Sequence, residues 1–212
     1  MPVITISRQL GAGGGEAGRR VAELLGLDLV DSAVCAEVAR RLQLPEEAVR
    51  AWDERRESLI LRLLRTLQDA HPESAMGAPA TASAFEPSTD PDRVWESTCE
   101  VIREEAKSGK AVIIGRGGAM ILADWPGALH FRLIARKAAR LRRVIERLGC
   151  AEEEAARLIE KADRDRAAFL RQRFNADPED PTHYALVLNT GILGIERAAR
   201  LMSELAAGRS TP

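Results

Sequence analysis

The chain has 212 residues, which suits one domain or one domain with an insertion, and it is long enough to bury a substantial core. Its 31 Lys and Arg residues nearly balance its 32 Asp and Glu residues, so no overall charge favours nucleic acid or an acidic membrane surface as a partner. Three widely spaced cysteines, no signal peptide and no apolar run of membrane-spanning length favour a reduced, cytoplasmic protein.

Near the amino terminus, a β-branched run at residues 3–6 leads into a glycine-dense turn and then into an amphipathic helix. The glycines of this turn are Gly11, Gly13, Gly14 and Gly15. Glycine allows positive φ angles and a close backbone approach, and a helix N-terminus adds N–H groups that bind anions. We therefore predict that residues 11–15 bind phosphate, rather than forming a plain turn between a strand and a helix.

The side chains of this loop depart from the P-loop pattern G-x-x-x-x-G-K-[ST]. With Gly13 as the second glycine of the pattern, Arg8 stands at the first glycine and Gly14 at the lysine. Gly15 and Glu16 stand where a magnesium-binding hydroxyl is expected. The loop thus has the backbone of a phosphate site without the usual side-chain chemistry.

Asp31 and Ser32 close the second predicted strand, residues 27–32. Ligands bind at the carboxyl ends of strands in open parallel sheets, so both residues are site candidates. A cap for the helix that begins near Ala33 explains them equally well. Asp31 also stands where a Rossmann dinucleotide site carries its acidic residue, so the pattern alone leaves a dinucleotide open.

Residues 45–70 have a helical pattern, and residues 92–107 form another predicted helix. Between them, residues 71–91 are rich in Pro, Ala, Ser and Thr, which indicates either a mobile lid or a disordered segment. Because helices bracket this segment and it lies between the second and third strands, we interpret it as part of an acceptor-binding excursion.

A buried-strand run at residues 111–114 ends in Arg116, which has small neighbours on both sides, Gly115 and Gly117. A charged residue at this point, with glycines that give a ligand access, is hard to explain by packing. We therefore favour a ligand-binding arginine over a structural ion pair.

The remaining sequence predicts strands at 129–135 and 185–190 and helices at 136–148, 152–174 and 194–207. Five short apolar strands that alternate with helices predict an α/β fold, with a parallel sheet and helices on both faces. A histidine in the fourth strand, His130, is more typical of a satisfied structural residue than of a ligand.

Arginines follow two of these helices. In the helix at 136–148 they form one stripe, which fits a solvated face: Arg136, Arg140 and Arg143. In the helix at 152–174, Arg164 and Arg171 share one side, whereas Arg166 points about 160° away. Both sides can serve one ligand only if the helix breaks or closes as a lid; an exposed helix with i,i+4 ion pairs is the alternative.

Together these segments resemble the P-loop nucleoside monophosphate kinases, most closely the cytidylate kinase-like family, over almost the full length. The matching segments are ITISRQ at 4–9 with its glycine loop, LVDS at 29–32, VIIGRGG at 112–118, DRDR at 163–166 and ALVLNT at 185–190. The resemblance implies a three-layer α/β/α P-loop NTPase fold with a five-stranded parallel sheet. It also implies one domain, residues 1–212, with an acceptor-binding helical insertion at about 33–107 and a lid at about 150–182.

For function, the resemblance implies an ATP-dependent kinase that transfers the γ-phosphoryl group to CMP, dCMP or a related small phosphorylated acceptor, assisted by Mg²⁺. The implied ATP-binding residues are Gly11, Ala12, Gly13, Gly14, Gly15, Glu16 and Arg19. The implied acceptor-binding residues are Asp31, Ser32, Arg116, Gly117, Lys161 and Arg171. The implied catalytic residues are Arg164, Asp165, Arg166 and Arg8. We expect no resident metal site, small-molecule nucleotides as partners, and a monomer or homodimer.

Several positions depart from the family pattern besides the lysine-free loop. Glu37 stands where an arginine is expected, Gly117 where an acidic residue is expected, and Ala168 where a further lid arginine is expected. Two function classes therefore stay open: a kinase in which an arginine replaces the lysine, and a nucleotide-binding sensor or regulatory protein without turnover. A dinucleotide-dependent oxidoreductase is a distant third, because the lid would then have no role.

Overall fold

The computed structural model describes residues 2–31, 33–49 and 90–208. Its strands are β1 Ile4–Arg8, β2 Asp28–Val30, β3 Ala111–Ile114, β4 Leu129–Ile134 and β5 Leu186–Asn189. They form one parallel sheet in the order β2-β3-β1-β4-β5, with β1 at its centre. The predicted five-stranded parallel α/β fold is confirmed. All five strands end at the same edge of the sheet, where ligands bind in folds of this class.

The helices lie close to their predicted positions. They are α1 Gly14–Leu25, α2 Ala33–Leu42, α3 Pro91–Lys107, α4 Gly118–Ile121, α5 Lys137–Leu148, α6 Glu152–Phe174, α7 Thr190–Leu193 and α8 Ile195–Gly208, with a 3₁₀ turn at Pro181–His183. Residues 50–89 lie outside the described residues, and with them most of the predicted helix at 45–70 and of the predicted lid or disordered segment at 71–91. Ser32 also lies outside them.

Two apolar clusters place helices on opposite faces of the sheet. On one face, Ile6 and Phe131 pack with Met202 of α8 in a cluster that also contains residues of α1. On the other face, Ile113 packs in a cluster with Ile102 of α3 and with residues of α2. Full burial of these side chains is the main stabilising contribution to the three-layer arrangement, at about 25 cal/mol per Å² of apolar surface.

A third cluster holds the long helix α6 against the edge of the sheet that carries the glycine loop. It joins Leu10 of that loop to Val144 of α5 and Ile159 of α6. Helix α6 runs without a break to Asn175, whose φ of +50° ends it in the left-handed conformation. In the part of the chain described here, no helix is both long and apolar enough to cross a bilayer.

Candidate active site

The glycine loop between β1 and α1 has the geometry that a phosphate site requires. Gly11 and Gly13 have φ angles of +79° and +78°, and Gly13 is the N-terminal cap of α1. The N–H groups of Gly14, Gly15 and Glu16 belong to the first turn of α1, and N–H groups in a first turn have no acceptor inside the helix. With the helix dipole they form a positive end that favours an anion.

Close packing around the loop also requires glycine at positions 11 and 13. A Cβ on Gly11 would lie 2.8 Å from the carbonyl oxygen of Arg140, and a Cβ on Gly13 would lie 2.4 Å from Cδ1 of Ile195. The loop is thus held between α5 and the start of α8. The predicted ATP-binding residues 11–16 are contiguous on this turn, and Arg19 is exposed one helical turn later.

Arg143 fastens the glycine loop to the end of β5. Its Nη1 donates to the carbonyl oxygen of Gly11 at 3.1 Å and to Oγ1 of Thr190 at 2.9 Å, and its Nη2 donates to the carbonyl oxygen of Thr190 at 2.8 Å. The hydroxyl of Thr190 in turn donates to the carbonyl oxygen of Ala12 at 2.9 Å. The loop carbonyls are therefore turned toward Arg143 and Thr190.

Asp163 fastens the same loop to α6. Its Oδ1 accepts from the backbone N–H of Leu10 at 3.0 Å, and its Oδ2 accepts from Nη1 of Arg140. The Arg140 side chain is only 9% exposed, so Asp163 provides the counter-charge that a buried guanidinium needs. The interpretation of Arg140 and Arg143 as part of a solvated stripe is wrong, because both side chains pack inward against the loop.

A pocket opens beside the loop, and four arginines of the described part of the chain line it: Arg8, Arg116, Arg132 and Arg166. Among the same described residues, the carboxylates that line it are Asp163 and Glu179. An apolar wall of the same pocket comes from α2, α3 and α6, through Val34, Val38, Val94, Trp95, Phe169 and Leu170. The pocket thus combines cationic groups with apolar surface that suits the uncharged body of a small molecule.

Arg116 reaches the pocket from an unusual backbone conformation. Gly115, Arg116 and Gly117 have successive φ angles of +72°, +53° and +70° directly after β3. A left-handed arginine costs about 1–2 kcal/mol, and strain of this kind collects at functional sites. Gly117 is also a packing position, because a Cβ there would lie 2.8 Å from Cε2 of Phe174.

Arg8 crosses the first turn of α1 toward β3. A Cβ on Gly14 would lie 2.6 Å from Cγ of Arg8, and a Cβ on Gly115 would lie 1.7 Å from its Nη1. The Arg8 stem therefore packs on the backbone at the position where a P-loop carries its lysine. Its guanidinium lies over the turn that presents Arg116.

Arg166 is the residue of the DRDR segment whose cation lines the pocket. Its side chain is 16% exposed, and Nη1 donates to the carbonyl oxygen of Arg8 at 3.4 Å. Because α6 is continuous, Lys161, Arg164 and Arg171 fall on its exposed side and lie outside the set of described residues that line the pocket.

Three other predicted site residues are Asp31, Ser32 and Asp165. Asp165 and Asp31 are half-buried, and neither is among the described residues that line the pocket; Asp31 directly follows β2. Ser32, the third, lies outside the described residues. The roles predicted for Asp31 and Asp165, as for Lys161, Arg164 and Arg171, stay predictions.

An aromatic cluster that the sequence analysis missed closes the apolar wall. The rings of Trp95, Phe169 and Phe174 meet edge to face, with centroids 5.4–6.1 Å apart. Arg173 lies over Trp95 at 5.6 Å and pairs with Asp92 at 2.8 Å. The cluster joins α3 to α6. Aromatic residues are rare in this chain, at 4%, so the presence of two on α6 was a signal in the sequence.

Two further residues have structural roles. His130 shares a hydrogen bond of 2.8 Å with Oγ1 of Thr5, and burial lowers its pKa below the ordinary 6.5. This fits its interpretation as a satisfied structural histidine. Glu37 faces away from the pocket and pairs with Arg40 and Arg41, whose hydrogen bonds lower its pKa to about 2. Position 37 therefore supplies no cation to the part of the pocket wall that the described residues form.

Comparisons with known proteins give one curated relative, several solved structures and a family model. A search of curated proteins finds a uronate isomerase from Corynebacterium glutamicum, 33% identical over 103 residues, a match that covers 49% of this chain and 20% of that protein. The chain thus spans about a fifth of the length of this curated relative.

Solved structures share the fold at low identity. An uncharacterized protein from Eubacterium ventriosum is 18% identical with a TM-score of 0.68, over 99% of this chain and 100% of that chain. The shikimate kinase from Acinetobacter baumannii in complex with shikimate is 15% identical with a TM-score of 0.52, over 100% and 96% of the two chains. The fold is therefore that of P-loop kinases. The model of the cytidylate kinase-like family matches residues 3–192, so the chain belongs to the cytidylate kinase-like family.

Proposed function

We propose that this protein is a phosphotransferase that moves the γ-phosphoryl group of ATP to CMP, dCMP or a related small phosphorylated acceptor. The observation that carries the proposal is the convergence of Arg8, Arg116 and Arg166 on one pocket beside the glycine loop. A protein that only bound a nucleotide at the loop would have no use for a second cationic subsite with an apolar wall.

The chemistry of phosphoryl transfer explains this arrangement. Negative charge spreads over the oxygens of the moving group, so the protein contributes positioning and charge neutralisation rather than covalent steps. The N–H groups of Gly11 and of residues 13–16 hold the β-phosphate of ATP, because the Ala12 N–H already donates to the carbonyl oxygen of Gln9 at 3.2 Å. Arg116 holds the acceptor phosphate. Arg166 on α6 and Arg8 on β1 supply positive charge between these two sites.

Arg8 takes the role of the missing P-loop lysine. The support is steric: the Arg8 stem packs on Gly14, so a side chain at position 14 and the present Arg8 conformation exclude one another. Arg8 stands at the first glycine of the P-loop pattern and Gly14 at its lysine. The cation has thus moved from one end of the loop to the other.

Mg²⁺ enters as part of the ATP complex. Proteins hold this ion through one or two carboxylates together with substrate phosphates and water. Among the described residues, no group of three or more His, Cys, Asp or Glu side chains is arranged to hold a metal ion. The ion would arrive bound to the phosphates of ATP, and Glu16 on the first turn of α1 is the carboxylate of residues 11–16 that could help to hold it.

The same pocket supports a proposed domain organisation. We assign residues 33–107 to an acceptor-binding insertion and residues 150–182 to a lid, within one domain. This is supported by the pocket lining, to which α2, α3 and α6 all contribute. Lys161, Arg164, Asp165 and Arg171 then engage the nucleotides when α6 closes, and Asp31 contacts the acceptor from the end of β2.

A second candidate is a nucleotide-binding sensor without turnover. The observation that favours it is the loop itself, which lacks the lysine and the hydroxyl of the P-loop pattern. Such losses ordinarily reduce phosphoryl transfer by orders of magnitude. This candidate predicts tight nucleotide binding with no dependence of any rate on Arg116.

The deciding experiment measures ADP release from Mg-ATP in a coupled assay with a panel of acceptors. The panel contains nucleoside monophosphates, and also D-glucuronate because the curated relative is a uronate isomerase. Arg116→Asn removes the cation while keeping a residue that tolerates positive φ. Arg103→Ala, an exposed arginine of α3, is the matched control.

Turnover with a nucleoside monophosphate should fall about 100-fold or more in Arg116→Asn and stay unchanged in Arg103→Ala. Parallel calorimetry with ATP separates the alternatives: ATP binding without acceptor-dependent turnover would establish the sensor. Turnover with glucuronate alone would replace the phosphorylated acceptor with a sugar acid.

An exchange of two residues tests the role of Arg8. Arg8→Gly and Gly14→Lys each disrupt the loop, the first by removing the cation and the second by collision with the Arg8 stem. Combined, they restore the G-x-x-x-x-G-K part of the pattern while Gly15 still stands at its hydroxyl position, so the double variant should recover much of the rate that each single variant loses. A double variant as slow as the single variants would contradict the assignment of Arg8.

A further inference from the structure

We propose that Arg132 is an additional acceptor-binding residue and that Glu179 is its stand-in counter-ion, which an anionic group of the acceptor displaces. The inference rests on the proposed function, because it concerns the same pocket. It adds a specificity-determining residue to that site and defines the acceptor as one that carries an oxyanion at Arg132.

Burial distinguishes Arg132 from its partner. The Arg132 side chain is 7% exposed, whereas the Glu179 side chain is 63% exposed, and the two form an ion pair. A buried guanidinium needs a counter-charge at all times. Glu179 is mostly hydrated already, so it loses little when it returns to water. A ligand anion that supplies the counter-charge can therefore replace it at low cost.

The hydrogen bonds of Arg132 are incomplete on the edge that Glu179 uses. Nη2 donates to Glu179, while the buried Nε has no partner among the described residues. Nε–H and Nη2–H lie on the same edge of a guanidinium, and together they suit an oxyanion with two oxygens. Glu179 occupies half of this edge. A phosphate or carboxylate bound in the pocket would complete it.

The surroundings fix the guanidinium and leave the carboxylate movable. Arg132 lies on β4 beside Ser7 of β1 and over the ring of Tyr184 at 5.8 Å. Two hydrogen bonds fix the backbone of the turn that carries Glu179. The Glu179 N–H donates to the Asp177 carboxylate at 3.1 Å, and the hydroxyl of Tyr184 donates to the carbonyl oxygen of Pro178 at 3.2 Å. Rotation of the Glu179 side chain alone is sufficient to release Arg132.

The charge of the pocket favours this exchange. Of the two carboxylates that line it among the described residues, Asp163 is already engaged by Arg140 and by the N–H of Leu10. Glu179 is thus the carboxylate that the other pocket arginines would attract together with Arg132. An anionic acceptor competes with Glu179 for the same positive field.

The test uses calorimetric binding of inorganic phosphate and of acetate to the full chain at constant ionic strength. Glu179→Gln should tighten binding of whichever of the two anions binds more strongly about fivefold, because competition from the Glu179 carboxylate is removed. Arg132→Gln should weaken it about 10-fold to 100-fold, and adding Glu179→Gln to this variant should restore nothing. Asp177→Asn is the matched control, because it removes one charge from the same turn and keeps an acceptor for the Glu179 N–H.

A Glu179→Gln variant that binds both anions as weakly as the native chain, or as Asp177→Asn does, would overturn the proposal. Glu179→Gln changes an exposed side chain, so this outcome can be read even if Arg132→Gln fails to fold. Preference for phosphate over acetate identifies a phosphate monoester at Arg132, and the reverse identifies a carboxylate. Acceptor-dependent ADP release without these changes in anion binding would support the kinase activity and refute the role of Arg132. These changes in anion binding without ADP release would support the role of Arg132 and refute the kinase activity.

Discussion

The guanidinium of Arg8 occupies the space where a side chain on Gly115 would begin. A Cβ on Gly115 would lie 1.7 Å from Nη1 of Arg8, and the φ of Gly115 is +72°. The end of β1 and the end of β3 are therefore shaped for one another, although more than 100 residues separate them in the sequence.

Gly115→Ala should displace Arg8 and reduce phosphoryl transfer about 100-fold, because the cation beside the glycine loop is lost. Gly127→Ala is the matched control, since Gly127 has a φ of +76° and nothing within 4 Å of an added Cβ. Both variants carry similar backbone strain, so comparison of their rates isolates the contact. Equal rates for the two variants would refute a catalytic role for the Arg8 position.

Asp163→Asn should lower the free energy of unfolding by about 1–3 kcal/mol, because the buried guanidinium of Arg140 loses its counter-charge while the bond to the Leu10 N–H can persist. Urea denaturation measures the change. Glu160→Gln on the same helix breaks an exposed pair with Lys137 and should leave the midpoint almost unchanged. A similar midpoint for both variants would mean that the Asp163 contacts do not hold α6 to the loop.

Arg143→Ala should raise the KM for ATP about 10-fold or more, because the carbonyl oxygens of Gly11 and Thr190 lose the donor that orients the loop. Arg142→Ala, which removes an exposed arginine next to it, should leave the KM unchanged. Steady-state kinetics at saturating acceptor measure both. A change in kcat alone, with KM for ATP preserved, would contradict the loop-positioning role.

Stability should fall as the pH drops below about 6.5, because burial lowers the folded-state pKa of His130. Between that lowered pKa and the ordinary value, the unfolded chain binds a proton that the folded chain does not, so the linkage favours unfolding. Above about 6.5 the ring is neutral in both states and the stability is complete.

Urea midpoints recorded between about pH 8 and pH 5.5 measure the slope of stability against pH. His130→Asn should flatten the slope and His183→Asn should retain it. A native slope in His130→Asn would assign the pH dependence to other groups.

Much of the fold could be predicted from the sequence because its determinants are local. The apolar runs of β1 and β3, the glycine turn and the helix ends at Gly26 and Gly149 depend on propensities and on periods of a few residues. The resemblance to the cytidylate kinase-like family, carried by the order and spacing of short segments, was confirmed over residues 3–192.

The sequence by itself determined a parallel α/β chain with a glycine loop after its first strand and an arginine after its third. Only the tertiary structure decided which charges share a pocket. Arg132 and Glu179 meet because β4 and the turn after α6 lie side by side. Arg140 and Arg143 face inward because their hydrogen-bond partners there are Asp163 and the carbonyl oxygen of Gly11. Such contacts depend on distances between residues far apart in the chain, which no local pattern encodes.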